Sequence, residues 1–164
     1  HGGARLVNVT SEAHRGGHFD EMDPEIVAMQ LKEPPRGYHA FKAYCQSKLA
    51  LTAWTMEAAR DFERTGVAAH ACHPGLVRAR IFPGLGGAKG FFASVFRFLY
   101  LPPALGARVP FTLATAPEYG RKSGVYLKRS HLRGPHEALP PKQGLDPHWT
   151  SAAWGAMRIL AGMS

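Results

Sequence analysis

A tyrosine and a lysine four residues apart, Tyr44 and Lys48, have the types and spacing that most directly suggest chemistry. On a helix, positions i and i+4 share one face, so the phenol and the ammonium group would be neighbours. A free phenol has a pKa of about 10, too high for a good proton acceptor at neutral pH, and a nearby ammonium favours the phenolate. The pair is a candidate acid/base device for moving a proton on or off a hydroxyl or carbonyl oxygen. The spacing alone is weak evidence, so its context matters.

Two short apolar segments flank the helix that must carry this pair. Residues 4–10 and 67–73 are typical of buried strands, and residues 39–63 are typical of a long helix. Pro74 and Gly75 end the second segment. Because a helix of this length cannot form a hairpin connection, the pattern predicts a right-handed βαβ crossover and a parallel sheet.

Ser11 stands where the first predicted strand ends. Ligands bind at the carboxyl ends of strands in open parallel sheets, so this serine is a candidate polar contact to a ligand. A serine at a strand end can equally satisfy a local backbone group. The residue pattern leaves both interpretations open.

The rest of the chain predicts a series of smaller elements. They are a short helix over 24–31 with Asp23 as its N-cap, a helix over 105–116, a short strand over 123–127, a surface loop over 129–147, and a final helix over 147–161 capped by Asp146 or Thr150.

Residues 91–101 are apolar and aromatic almost throughout, and Pro102 and Pro103 end the segment. The segment is too short to span a bilayer. A buried core helix, a lid over an apolar substrate and a helix lying on a membrane remain alternatives for it.

Composition bounds the class of protein. The chain has 164 residues, 45% of them hydrophobic, which predicts one globular domain over 1–164. Its net charge is +8 and its isoelectric point is about 9.9. The basic residues are scattered rather than in runs, which favours a solvated basic surface over nucleic-acid binding. Attraction to anionic lipid or to a phosphorylated cofactor stays open.

Cysteine and histidine usage predicts neither a disulfide framework nor a metal site. Cys45 and Cys72 lie in the predicted helix and strand, and the nine histidines form no metal-ligand pattern. A reduced, intracellular compartment fits this usage. The chain shows no signal peptide, and it opens on His1 almost directly before a strand, so we expect that an upstream part has been lost.

Taken in order, these motifs resemble the short-chain dehydrogenase/reductase superfamily, in particular its retinol-dehydrogenase-like branch. The resemblance covers nearly the whole chain, and the combination is more specific than any single motif. It consists of a strand ending in the catalytic serine at 6–11, a Ser-x-x-His continuation at 11–14, the active-site helix at 43–50, the next strand and its Pro-Gly turn at 65–67 and 73–77, and a Ser-Gly-x-Tyr strand at 123–126.

The resemblance implies an α/β fold, the C-terminal part of a Rossmann-type doubly wound parallel sheet. Two hallmarks of the family have no counterpart here: the Gly-rich fingerprint after the first strand and the Asn-Asn-Ala-Gly stretch after the fourth. The N-terminal dinucleotide-binding strands are therefore expected to be missing. Ala79 also stands where the family usually has a Thr or Ser that bonds the nicotinamide carboxamide.

The resemblance also implies roles for individual residues. Ser11 would hydrogen-bond the substrate oxygen, Tyr44 would be the general acid/base, and Lys48 would favour the phenolate and hold the nicotinamide ribose. The cofactor-binding residues would be Tyr44, Lys48, Pro74, Gly75, Leu76 and Val77, with the last four lining the nicotinamide side. The cofactor would be NADP or NAD, and the aromatics within 82–103 suggest a lipophilic alcohol, retinol-like or similar, interconverted with its carbonyl.

Two other functions are weighed against this enzyme. The chain could be a truncated, non-catalytic fragment without its own cofactor site, whose unpaired sheet edge is an aggregation liability. It could also be a membrane-surface module that uses residues 91–101. Membrane association and a homodimer are left open, and no nucleic-acid partner is predicted.

Overall fold

The sheet has four strands in the computed structural model, which describes residues 3–32, 39–77, 100–130, 132–140 and 142–163. The strands are β1 (Arg5–Val9), β2 (Ala68–His73), β3 (Tyr126–Lys128) and β4 (His136–Ala138), adjacent in that order. Strands β1, β2 and β3 run parallel, and β4 is antiparallel to β3. The predicted parallel pairing of the two strands that flank the long helix is therefore confirmed.

Four α-helices surround this sheet in the described ranges. They are α1 (Pro24–Lys32), α2 (Ala40–Asp61), α3 (Pro103–Thr115) and α4 (Pro147–Leu160). Their bounds confirm the four helices predicted from the sequence to within a few residues. The capping residues agree as well, since Asp23 Oδ1 accepts hydrogen bonds from the first turn of α1 and Asp146 Oδ1 accepts one from the N–H of His148.

Helices cover both faces of the sheet because its strands are apolar on both sides. Successive side chains of a strand point to opposite faces. Ala71 of β2 accordingly packs against Met56 of α2, whereas the next residue, Cys72, packs against Val109 and Leu113 of α3. Helices α1 and α4 form a second layer outside α2. Their core holds Phe19, Val27, Ala28, Leu49, Ala50, Trp149 and Ala156.

The region after α3 departs from the sequence prediction in two ways. The strand expected over 123–127 begins only at Tyr126, because Gly124 has a φ of +74° and turns the chain before it. The surface loop expected over 129–147 contains β4, whose residues pair with β3. A three-residue strand in a Pro- and Gly-rich stretch has little local signal, since its stability comes from pairing with a neighbour.

Strand β1 lies at one edge of the described sheet. It pairs with β2, and its residues Arg5 to Asn8 are half-buried while Val9 is 45% exposed. Most of the predicted substrate region over 82–103, and most of the apolar segment over 91–101, fall outside the described residues. Ala79 falls outside them too.

Candidate active site

Helix α2 carries Tyr44 and Lys48 on one exposed face, as their spacing predicts. The Nζ of Lys48 lies 5.7 Å from the centroid of the Tyr44 ring. The same Nζ donates a hydrogen bond of 3.1 Å to the carbonyl of Val9, the last residue of β1. The lysine therefore joins the tyrosine helix to the carboxyl end of a strand, which is the edge where open α/β sheets bind ligands.

Further along the same face, α2 is anchored against the sheet. Asn8 of β1 donates from Nδ2 to Oγ1 of Thr55 at 2.9 Å, and Thr55 itself is fully buried. This bond sets the register between strand and helix, since a buried side-chain pair must be satisfied. The apolar residues that complete the buried face are Cys45, Leu49, Ala53, Met56 and Ala59.

Ser11 follows β1 and begins a 3₁₀ helix over Glu12–Gly16. Its Oγ accepts a hydrogen bond of 3.2 Å from the N–H of Ala13, so the serine caps this turn. A hydroxyl retains one donor and a second lone pair after such a bond. The local role is thus observed, and the hydroxyl still has the capacity for the ligand contact that was predicted.

Gly17 holds this turn against α2. A Cβ on Gly17 would lie 2.6 Å from the carbonyl oxygen of Cys45 and 2.9 Å from Cβ of Leu49. The backbone after Ser11 can therefore approach the tyrosine helix closely only because this residue has no side chain. A hydrogen bond also joins α2 to this segment, because Nε2 of Gln46 donates to the carbonyl of His18 at 2.9 Å.

The Pro74-Gly75 turn follows β2 at the same edge of the sheet. Gly75 has a φ of +88°, a conformation that other residues rarely adopt. The N–H of Leu101 donates to the carbonyl of Leu76 at 2.7 Å, and Val77 pairs with Leu101 in a parallel bridge. The turn is thereby fixed against the beginning of α3, and Leu76 remains 55% exposed.

Tyr44 and the Pro-Gly turn border different cavities. The tyrosine groove, of about 690 Å³, is lined by Gln30, Leu31, Ala40, Ala43, Tyr44, Gln46 and Ser47. The strand-end cleft, of about 230 Å³, is lined by Glu12, His73, Leu76, Leu101, Lys128, Arg129 and Ser130. Of the sequence-predicted site residues, Tyr44 and Lys48 are brought together, and Lys48 reaches the carbonyl of Val9, two residues before Ser11, whereas Leu76 lines a different cavity from Tyr44.

The strand-end cleft is rich in ionisable groups that were not among the site residues predicted from the sequence. His73 ends β2, and Lys128 and Arg129 lie at the end of β3. The rule that ligand-binding side chains follow parallel strands could have found them, since the strands predicted over 67–73 and 123–127 end at or just before these residues. Burial lowers the pKa of His73 more than the Glu12 carboxylate raises it, so the ring is neutral at pH 7.

Two groups beside Ser11 have pKa values shifted by their surroundings. Burial lowers the pKa of His14 to about 4, with Glu12 opposing the shift. Burial also acts to raise the pKa of Glu12, but the hydrogen bond from Arg15 and the positive charges of Arg15 and Lys128 outweigh it and lower that pKa. At neutral pH the turn after Ser11 therefore carries a neutral imidazole and an ionised carboxylate.

Curated proteins that are similar to this chain are named as dehydrogenases or dehydrogenase/reductases. No protein-family model matched the chain. Human retinol dehydrogenase 13 is 31% identical over 165 residues, covering 98% of this chain and 46% of the relative. Dehydrogenase/reductase SDR family member 13 of Bos taurus is 31% identical over 166 residues, covering 98% of this chain and 40% of the relative. The chain thus spans less than half the length of these curated relatives.

Solved structures share the fold. An uncharacterized protein from Mycobacterium paratuberculosis superposes with a TM-score of 0.68 at 22% identity, covering 99% of this chain and 52% of the other. A blue fluorescent protein from a metagenomic library, solved in complex with NADPH, gives a TM-score of 0.51 at 24% identity, covering 79% and 44%. The chain belongs to the short-chain dehydrogenase/reductase superfamily, in its retinol-dehydrogenase-like branch, and corresponds to the C-terminal portion of that family's Rossmann-type fold.

Proposed function

We propose that this chain supplies the catalytic part of an NAD(P)-dependent oxidoreductase that interconverts a lipophilic alcohol, retinol-like or similar, and its carbonyl compound. The observation that carries the proposal is the position of Lys48, whose Nζ lies 5.7 Å from the Tyr44 ring centroid and is bonded to the end of β1. This arrangement supports a site in which a cation, a phenol and the serine turn act together at one edge of the parallel sheet. The relatives named as retinol dehydrogenases support the same chemistry.

In this mechanism Tyr44 handles the proton. During oxidation its phenolate oxygen takes the proton of the substrate hydroxyl, and during reduction its phenol gives a proton to the developing alkoxide. The hydroxyl of Ser11 donates a hydrogen bond to the same substrate oxygen and stabilises its charge. The ammonium of Lys48, 5.7 Å from the centroid of the Tyr44 ring, adds positive charge beside the developing alkoxide.

The residues at this edge fit the nicotinamide end of a dinucleotide. Lys48 offers a donor to ribose hydroxyls, and exposed Leu76 on the rigid Pro74-Gly75 turn offers an apolar surface for a flat ring. When bound, the cofactor accepts or supplies the hydride. The NADPH held by a structural neighbour supports this cofactor class, and NADP and NAD remain equal candidates.

The substitution Tyr44→Phe tests the proposal in this chain and in any longer natural protein that contains it. It removes one hydroxyl from a side chain that is 38% exposed, so the fold should be unaffected. We expect turnover of retinol to fall by about 10²-fold or more, the range typical of general acid–base groups, while NADPH affinity stays within threefold. Tyr119→Phe is the matched control, because Tyr119 lies in the core beneath α3. Full activity in Tyr44→Phe would overturn the assignment.

The non-catalytic alternative is favoured by one feature, the open edge of β1 in the described sheet. NADPH and NADH fluorescence titrations on the chain separate the two functions. Saturable binding supports a cofactor site within this chain, and no binding by the correctly folded chain supports the non-catalytic alternative. No described helix is both long enough and apolar enough to cross a membrane.

A further inference from the structure

Three side chains that line the strand-end cleft each hold a buried polar atom without a hydrogen-bond partner among the described residues. The atoms are Oε2 of Glu12, Nδ1 of His73 and Nε of Arg129. Leaving a buried donor or acceptor unpaired is unfavourable, and folded proteins pair nearly all such groups. The two donors among them, Nε of Arg129 and Nδ1 of His73 in its Nδ1–H tautomer, point to a ligand that offers hydrogen-bond acceptors.

The charges around the cleft define the sign of that ligand. Oε1 of Glu12 accepts a hydrogen bond of 2.5 Å from Nε of Arg15 and lies 3.9 Å from Nζ of Lys128, whereas Oε2 has no partner among the described residues, so the carboxylate still presents negative charge to the cleft. Arg129 has no ion pair in the described part of the chain. The lining residues Glu12, Lys128 and Arg129 sum to one net positive charge, which attracts an anion.

We propose that the strand-end cleft is a binding site for a small carboxylate, held by Arg129, His73 and Lys128. The Nε of Arg129 donates to one carboxylate oxygen, and the neutral His73 ring donates from Nδ1 in the corresponding tautomer. Lys128, at the rim of the cleft, adds a third donor. The cleft volume of about 230 Å³ is large enough for a small carboxylate.

Glu12 decides between a carboxylate and a phosphate. A phosphate monoester carries a charge of about −1.5 to −2 at pH 7, and its second charge would be repelled by the Glu12 carboxylate on the same wall. A singly charged carboxylate matches the single excess positive charge. Glu12 thus acts as a selectivity element against dianions. Arg129, His73 and Lys128 have no part in the proposed oxidoreductase mechanism, and Leu76, which lines this cleft, is the one residue that both proposals share.

Titration of the wild-type chain with acetate and with acetamide, followed by NMR of the His73 ring at constant ionic strength, tests the site without any mutation. The two probes have nearly the same shape and differ in charge. We expect acetate to give saturable shifts and acetamide to bind at least tenfold more weakly. Equal shifts for both probes, or tighter binding of inorganic phosphate than of acetate, would overturn the proposal.

Two variants localise the binding. Arg129→Gln should weaken acetate binding at least tenfold, whereas Arg133→Gln, an exposed arginine in the loop that follows, should leave it within twofold. If Arg129→Gln proves unfolded by circular dichroism, Lys128→Gln replaces it, with a loss of threefold or more expected. Unchanged acetate affinity in a folded variant of either residue would refute the assignment.

Discussion

The Nζ of Lys48 donates a hydrogen bond to the carbonyl of Val9 at 3.1 Å, and this contact links the middle of α2 to the last residue of β1. It aligns the tyrosine face of the helix with the strand end that leads into Ser11. A lysine at this position can hold a ligand and orient the helix at the same time.

Replacing Lys48 by Met should impair chemistry more than stability. The Val9 carbonyl would be left near water, because Val9 is 45% exposed, so the free energy of unfolding should fall by no more than about 1 kcal/mol. Turnover and NADPH affinity should each fall at least tenfold, and Lys48→Arg should recover part of both. Lys42→Met, an exposed change near the start of the same helix, is the control. Equal effects of the two Met variants would contradict a specific role for Lys48.

Gly17→Ala should destabilise the fold through a steric clash. The new Cβ would lie 2.6 Å from the Cys45 carbonyl oxygen, a distance that forces the Ser11 turn away from α2. We expect a loss of about 1–3 kcal/mol in urea unfolding, the usual cost of overpacking. Gly16→Ala is a close control, because its Cβ would make an ordinary contact of 3.4 Å with Cys45 Sγ. Similar losses at both positions would refute the close-approach argument.

His14 should make stability fall in mild acid. Its folded-state pKa is about 4 and its ordinary value is 6.5, because burial disfavours the charged ring. The unfolded chain therefore binds the proton more readily, so this contribution is complete above about pH 6.5 and is lost as the pH falls from 6.5 towards 4. The shift corresponds to about 3 kcal/mol.

His14→Phe isolates this contribution, since a phenyl ring can keep the edge contact with the Tyr126 ring, 5.4 Å away between centroids. Urea unfolding at pH 7.5 and pH 4.5 should show a smaller pH-dependent loss in the variant than in the wild type. Burial also lowers the pKa of His70 and His73, so a residual slope is expected. The exposed substitution His148→Gln should leave the wild-type pH dependence intact. An identical slope in His14→Phe would rule His14 out as its source.

Both cysteines should resist thiol reagents in the native state. Cys45 and Cys72 are free and are 2% and 0% exposed, and burial raises the pKa of Cys72 to about 12. A buried thiol reacts slowly because the thiolate is the nucleophile. Ellman's reagent at pH 8 should label neither residue within minutes, and both should react in guanidinium chloride. Rapid native labelling would show that the layers around α2 open readily.

The local elements of this protein could be read from its sequence for a clear reason. Helix α2 has a long run without Pro or Gly, and β1 and β2 are short apolar runs bounded by turn residues, so each carries its own signal. The length of the connecting helix then required parallel pairing of the two strands, which the sheet confirms. The family resemblance likewise depended on short motifs that keep their order along the chain.

The candidate active site and the strand-end cleft, in contrast, are formed by contacts between distant parts of the chain. By itself the sequence determined that Tyr44 and Lys48 share a helix face and that Ser11 ends a strand. Only the tertiary structure decided that Lys48 meets Val9, that β4 exists, and that Glu12, His73 and Arg129 surround one cleft. The physical reason is that helical neighbours are set by local geometry, whereas strand ends are brought together by hydrogen bonds and packing between segments far apart in sequence.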